Sequence, residues 1–126
     1  MFGRVRIVLM IATCALAIPA AAQAPAPTTA FDGRYAGVSR DSAKTPAFPS
    51  AKCPPSEVPA PLTIKNGVVG TPGGQGWEGS VSPQGAVTLR NSNAMRLEGQ
   101  IDGQGMIRAQ YGGAGCTITY VWRKQS

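Results

Sequence analysis

Two eleven-residue stretches, set twenty residues apart, carry the same pattern and restrict what this chain can fold into. Trp77-Glu78-Gly79-Ser80-Val81-Ser82-Pro83-Gln84-Gly85-Ala86-Val87 aligns with Leu97-Glu98-Gly99-Gln100-Ile101-Asp102-Gly103-Gln104-Gly105-Met106-Ile107. Glu, Gly, Gln and Gly recur identically, and the apolar positions recur in kind. A fainter third start stands at Phe31-Asp32-Gly33-Arg34-Tyr35. If Val81 faces Val87, and Ile101 faces Ile107, each pair closes across a three-residue loop, Pro83-Gln84-Gly85 or Gly103-Gln104-Gly105. Such hairpins combine a type I turn with a left-handed residue. Gly85 and Gly105 fall on the left-handed position, and Pro83 falls where a type I turn accepts a fixed φ. A two-residue loop would put the valines out of phase, so turn and apolar pattern select one register.

The rest of the chain from Leu62 onward has the same period of two. Cys116, Ile118, Tyr120 and Trp122 share one face, and Thr117, Thr119, Val121 and Arg123 the other. Met95, Leu97, Gly99 and Ile101 alternate with Arg96, Glu98, Gln100 and Asp102. This alternation marks antiparallel strands with one buried face. Asn66-Gly67, between Ile64 and Val69, specifies a tight primed hairpin, which makes Gly67 a third turn glycine. Gly79 and Gly99 fall on the buried face in mid-strand, where glycine permits a bend or a close approach. Matching bends suggest a sheet that curls. The pattern gives eight strands, at about 31–39, 61–65, 68–71, 76–82, 86–91, 94–102, 105–111 and 115–123. An up-and-down meander of eight can pair its first strand with its last and remove both edges. The expected fold is all-β, a small barrel or strongly coiled sheet occupying residues 31–126.

Residues 41–61 interrupt this regularity with Pro46, Pro49, Pro54, Pro55, Pro59 and Pro61, a density that excludes helix and central strand. The segment reads as a long loop. It contains Cys53, and Cys116 lies 63 residues further on. An even pair in an exported small domain reads as a disulfide. Closing so long a loop contributes about 4 kcal/mol by chain entropy, a large share of the stability available to such a domain. A redox-active pair would be closer in sequence.

The export itself is read from residues 1–22. Arg4 and Arg6 precede an apolar run from Ile7 to Ile18, and Ala20-Ala21-Ala22 offers a small-residue cleavage site before Gln23. That order describes a signal-peptide helix, and the apolar run is shorter than the ~20 residues a bilayer span requires. Cys14 departs with the leader, since Thr13 is a poor residue before a lipidated cysteine. Gln23–Ala30, rich in Ala, Pro and Thr, reads as a disordered spacer. Processing leaves 104 of the 126 residues, one small domain in an oxidising space. The chain has twelve basic and six acidic residues, and the leader holds two of the basic ones. The mature charge is therefore +4. The bases are scattered, without the concentrated stripe that nucleic-acid binding requires.

Catalytic chemistry has little to stand on. There is no histidine, which removes the commonest general base and metal ligand and with it a serine triad. The carboxylates Asp32, Asp41, Glu57, Glu78, Glu98 and Asp102 are dispersed. Two could act as a glycosidase pair, but Glu78 and Glu98 occupy matching outward positions and suit ion pairs with Arg90, Arg96 or Arg108. Gly73-Gly74-Gln75-Gly76 lacks the Lys-Ser/Thr of a phosphate loop and reads as a flexible connection. No catalytic, cofactor or metal residue is assigned. Phe31, Tyr35, Trp77, Tyr111, Tyr120 and Trp122 fall in phase with the buried face, and a domain of this length needs them as core. A lipocalin-like cavity holding one small ligand is the alternative use of the same positions.

The opening Phe31-Asp32-Gly33-Arg34-Tyr35-Ala36-Gly37, the two Glu-Gly…Gln-Gly hairpins and the closing Cys116-Thr117-Ile118-Thr119-Tyr120 resemble an uncharacterised family of small exported bacterial proteins. The resemblance covers residues 31–123. It implies a periplasmic β domain with one disulfide and transfers no active site. Gly33-Arg34-Tyr35 also resembles the opening strand of lipocalins. The expected function is that of a non-enzymatic binding module in the envelope, meeting an unknown protein or small ligand through its loops, without nucleic acid or stable membrane insertion. A small-ligand carrier is one alternative. The other is an inhibitor of an exported hydrolase that presents the Pro-rich loop near Cys53 or the Gly-rich loop at 71–76.

Overall fold

The computed structural model describes Cys14 and residues 28–74, 76–113 and 115–126. Apart from Cys14, the expected leader lies outside the described residues, as do the Ala22–Gln23 cleavage point and residues 23–27. Eight antiparallel strands follow in chain order: β1 Gly33–Lys44, β2 Leu62–Lys65, β3 Val68–Gly70, β4 Glu78–Val81, β5 Ala86–Arg90, β6 Arg96–Ile101, β7 Met106–Gly112 and β8 Cys116–Lys124. Each pairs with its successor, and β8 pairs with β1 to close a barrel. The meander anticipated from the alternation is the observed architecture. Pairing the first strand with the last removes the two end edges that an open meander would expose.

The hairpin registers follow from the turns. Val81 lies opposite Val87 and Ile101 opposite Ile107. Gly85 and Gly105 take φ of 85° and 80°, and each donates its N–H to the residue that opens its turn, Ser82 or Asp102. Side-chain oxygens of those same residues accept from Ala86 and Met106. Asn66 and Gly67, at φ 52° and 75°, form the primed turn between β2 and β3.

The interior is filled from all sides. Trp122, Leu62, Leu89, Leu97 and Ile107 are fully buried, joined by Tyr35, Val69, Val87 and Ile118 in one cluster. Of the six aromatics placed in phase with the core, Tyr35, Trp77, Tyr120 and Trp122 are buried, while Phe31 and Tyr111 pack against the cluster partly exposed. A Cβ at Gly79 would collide with the Thr88 carbonyl oxygen, and one at Gly99 with that of Arg108. Neighbouring backbone crosses the inner face at these two points, so glycine is required. The outward positions carry Lys65, Glu78, Arg90, Arg96, Glu98 and Arg108, all exposed, the reverse of the apolar exterior that a lipid-facing barrel presents.

Three sequence expectations need correction. The segment 41–61 is not loop throughout: β1 continues to Lys44, with Asp41 opposite Thr119 and Lys44 opposite Cys116. The prolines begin only at Pro46, so nothing in 41–44 opposes strand. Thr28–Ala30 belong to the folded unit rather than to a disordered spacer, since Ala30 N–H donates to Thr28 Oγ1 and Asp32 N–H to the Thr29 carbonyl. Val121, placed on the solvent face by alternation, is only 6 % exposed yet stands outside the core cluster.

Candidate functional site

The topology sorts the connections to two ends. One end holds the turns at Asn66-Gly67, 82–86 and 102–106. The other holds the connections at 45–61, 71–77, 91–95 and 113–115. Strand lengths make the second end slanted: β1 has 12 residues and β8 has 9, whereas β3 has 3 and β4 has 4. The Pro-rich loop descends from the tall side into this gap.

That loop is tied down at several points. Cys53 and Cys116 form a disulfide, with Cα atoms 5.8 Å apart. Thr45 N–H donates to the Gly115 carbonyl at 2.9 Å. Arg40 and Glu57 exchange backbone bonds of 2.7 and 3.2 Å, so residues 55–60 shield the upper flank of β1 where no regular strand pairs with it. The Trp122 indole donates to the Ala60 carbonyl at 2.9 Å. Gly37 allows the loop its close approach, because a Cβ there would strike the Pro59 carbonyl.

Arg40 is the polar centre of this region, and the alternation alone gives no sign of it. Counting by twos from Tyr35 puts Ser39 and Asp41 inside and Arg40 outside. A bulge at Val38 shifts the phase, so that Gly37 faces Trp122 but Ser39 faces Val121 and Arg40 faces Tyr120. A single inserted residue exchanges the faces of a strand. Arg40 therefore points toward the barrel mouth. Its Nη1 lies 2.8 Å from Glu57 Oε2 and its Nη2 donates to the Pro55 carbonyl at 2.9 Å. Its Nε is buried without a partner, as are Ser42 Oγ further along β1 and Thr45 Oγ1 just beyond its end.

A depression of about 300 Å³ opens here, lined by Arg40, Glu57, Val58, Pro59, Trp77 and Tyr120, with Asn91 and Ser92 on its far wall. A second, of about 540 Å³, lies across Trp77 between Thr71, Gly74, Glu78 and Ser92. Gly76, Trp77 and Ser92 belong to both. Thr71 Oγ1 fixes the approach of the Gly-rich loop by bonding the Trp77 backbone N–H and carbonyl at 2.8 and 2.9 Å. The Trp77 and Tyr120 rings meet edge to face at 5.4 Å, and Tyr120 stacks on Trp122 at 5.6 Å. Burial raises the Tyr120 phenol above its ordinary pKa, against the lowering influence of the adjacent Arg40 guanidinium, with Glu57 raising it further. Tyr35, at the opposite end, is raised by burial and by Asp32.

The carboxylates are mostly occupied by structure. Glu57 pairs with Arg40, and Glu98 pairs with Arg96 at 2.8 Å. Asp41 accepts from Ser56 at 2.9 Å, and Asp102 caps its own turn. Glu78 lies opposite Arg90 in register, but among the described residues no ion pair joins them. Glu78 and Glu98 sit on β4 and β6 with β5 between, so they do not form a facing pair. Among the described residues no group of three His, Cys, Asp or Glu side chains stands together as a metal site.

The class defined by this geometry is a closed eight-stranded antiparallel barrel with one disulfide-pinned loop over its mouth. No family model, curated protein or solved structure matches the chain.

Proposed function

We propose that this chain is an exported, non-enzymatic binding module that meets its partner through the loop end of the barrel. One observation carries the reading: the long Pro-rich loop is fixed by a disulfide, a backbone bridge and an ion pair beside an amphipathic depression. A loop anchored in this way presents its contacts with little ordering cost on association. The disulfide is consistent with an oxidising compartment outside the cytoplasm, in keeping with the leader read from residues 1–22. The structural engagement of four of the six carboxylates, Glu57, Glu98, Asp41 and Asp102, favours binding over catalysis. Hydrolase activity that disappeared on mutating Glu78 or Glu98 would overturn that choice.

Inhibition of an exported hydrolase is the second reading, favoured by the convergence of the Pro-rich and Gly-rich loops on shared walls at Gly76 and Trp77. A carrier of one small ligand inside the barrel fits less well, because the core cluster fills the interior. Capture from envelope extract with immobilised mature protein tests the function. A specific partner lost when residues 55–60 are replaced by Gly-Ser is the expected result. No retained protein, together with a small molecule released on denaturation, would favour the carrier instead.

A further inference from the structure

Arg40, Trp77 and Tyr120 converge on the loop-end depression, and Arg, Trp and Tyr are the residue types that dominate binding hot spots. Trp77 and Tyr120 are 9 % and 6 % exposed, so their rings are already locked and lose little freedom when covered. The Arg40 side chain is 21 % exposed, while that of its counter-ion Glu57 is 64 % exposed. The cation thus belongs to the floor and the carboxylate to the surface. An ion pair with so exposed a member contributes little to stability, and another carboxylate can take its place at small cost.

Resting on the binding-module reading, we propose that this depression receives an acidic side chain of a partner protein. An Asp or Glu on a protruding segment replaces Glu57 on the Arg40 guanidinium and packs against Trp77 and Tyr120. Two further features favour a peptide segment over a free small anion, and a third favours an acidic one. Val58, on the rim, is 65 % exposed and supplies an apolar contact. The larger depression across Trp77 has room for the flanking residues. The mature charge of +4 steers association toward acidic surfaces.

Titrating the mature protein with hexaglutamate peptide at low salt tests this, with hexaglutamine and free glutarate as comparators. Calorimetry gives the affinity. Indole fluorescence reports the site, because Trp122 is sealed in the core and Trp77 is the responsive ring. Hexaglutamate is expected to bind, with affinity lowered at least tenfold by Arg40→Gln and raised several-fold by Glu57→Gln. Arg108→Gln, which removes the same charge from the outer wall, should change affinity less than twofold. Glu57 is exposed, so Glu57→Gln keeps the test decisive if Arg40→Gln fails to fold. Absence of hexaglutamate binding, equal losses in the Arg40 and Arg108 variants, or glutarate binding as tightly as the peptide would each overturn the site. A partner from envelope extract captured equally by wild type and Arg40→Gln overturns this site alone and leaves the binding module standing.

Discussion

The two ends of the barrel reverse the chain in different ways. At the turn end, each reversal is minimal and contributes to the next seam. The carbonyls of Gly67, Gly85 and Gly105 accept from Val81, Ile101 and Lys124, each at 2.8 Å. Every left-handed glycine therefore shapes its own turn and fastens the adjacent strand. At the loop end, every connection but the 91–95 turn is long, proline-bearing or glycine-rich, and the Pro-rich loop is held by a disulfide, side-chain bonds and one ion pair besides its backbone bridge to β1. Backbone hydrogen bonding makes the first end self-supporting. The second end adds crosslinks to its backbone bonds, and so can carry exposed groups such as Phe48 and Val58 that a minimal turn has no room for. On the proposed reading, stability and binding fall to opposite ends of one barrel.

Removing the crosslink should produce the largest effect. The Cys53→Ser/Cys116→Ser variant is expected to lose up to about 4 kcal/mol in urea denaturation. Hydrogen exchange then locates the change. Amides of residues 40 and 57, whose bonds bind loop to strand, should lose protection, whereas those of Val81, Ile101 and Lys124 should exchange no faster than global unfolding requires. Selective loss at the three turn-end amides would show that the ends are not independent.

Gly99→Ala attacks the barrel wall between the ends. The new Cβ would collide with the Arg108 carbonyl and crowd the Ala109 Cα, and strands in a closed barrel have little freedom to separate. Overpacking of this kind costs about 1–3 kcal/mol. A change in urea midpoint corresponding to less than half a kcal/mol would mean that the wall yields and that the glycine is not required.

Alkaline titration separates the ends chemically. Tyr35 and Tyr120 both have raised folded pKa values, so the folded state favours the neutral phenol. Their contribution is fully present below the unfolded pKa of ~10 and is lost as pH rises through the higher folded values. The protein should therefore lose stability above about pH 10, and Tyr120→Phe should flatten that decline. An unchanged alkaline slope in the variant would remove Tyr120 from the account.

What the sequence revealed, and what it hid, follows the same division. The hairpins at 82–86 and 102–106, the Asn66-Gly67 turn and the inward Val81, Val87, Ile101 and Ile107 were legible because local turn chemistry and the apolar alternation agree there. The disulfide was legible from the cysteine count and the leader-like pattern of residues 1–22. Arg40 was hidden, since nothing in Val38-Ser39 announces a bulge, and that bulge alone decides which way the arginine points. The burial of Val121 also escaped, because alternation describes the barrel wall and not what lies over it. The candidate site stands on these non-local features, the bulge and the packing of loop on strand, while the scaffold stands on local ones.

Ala94 brings both kinds of information together and gives the smallest expected effect. The turn at 91–95 repeats the hydrogen bonds of the other two three-residue hairpins. Asn91 N–H donates to the Met95 carbonyl, Ala94 N–H to the Asn91 carbonyl, and Asn91 Oδ1 accepts from Asn93 and Met95. The left-handed position, however, is filled by Ala94 at φ 60°, which is why the sequence did not announce a turn of this type. A left-handed alanine costs roughly 1–2 kcal/mol, partly offset by the smaller entropy loss of alanine relative to glycine. Ala94→Gly should therefore stabilise the protein by about 0.5–1 kcal/mol in urea denaturation, whereas Gly85→Ala at the opposite end should destabilise by at least as much. If Ala94→Gly were destabilising, the 91–95 connection would need a left-handed side chain for a reason other than its turn. Because Asn91 and Ser92 line the depression beneath Arg40, hexaglutamate affinity in that variant would show whether the strain holds the binding wall in place.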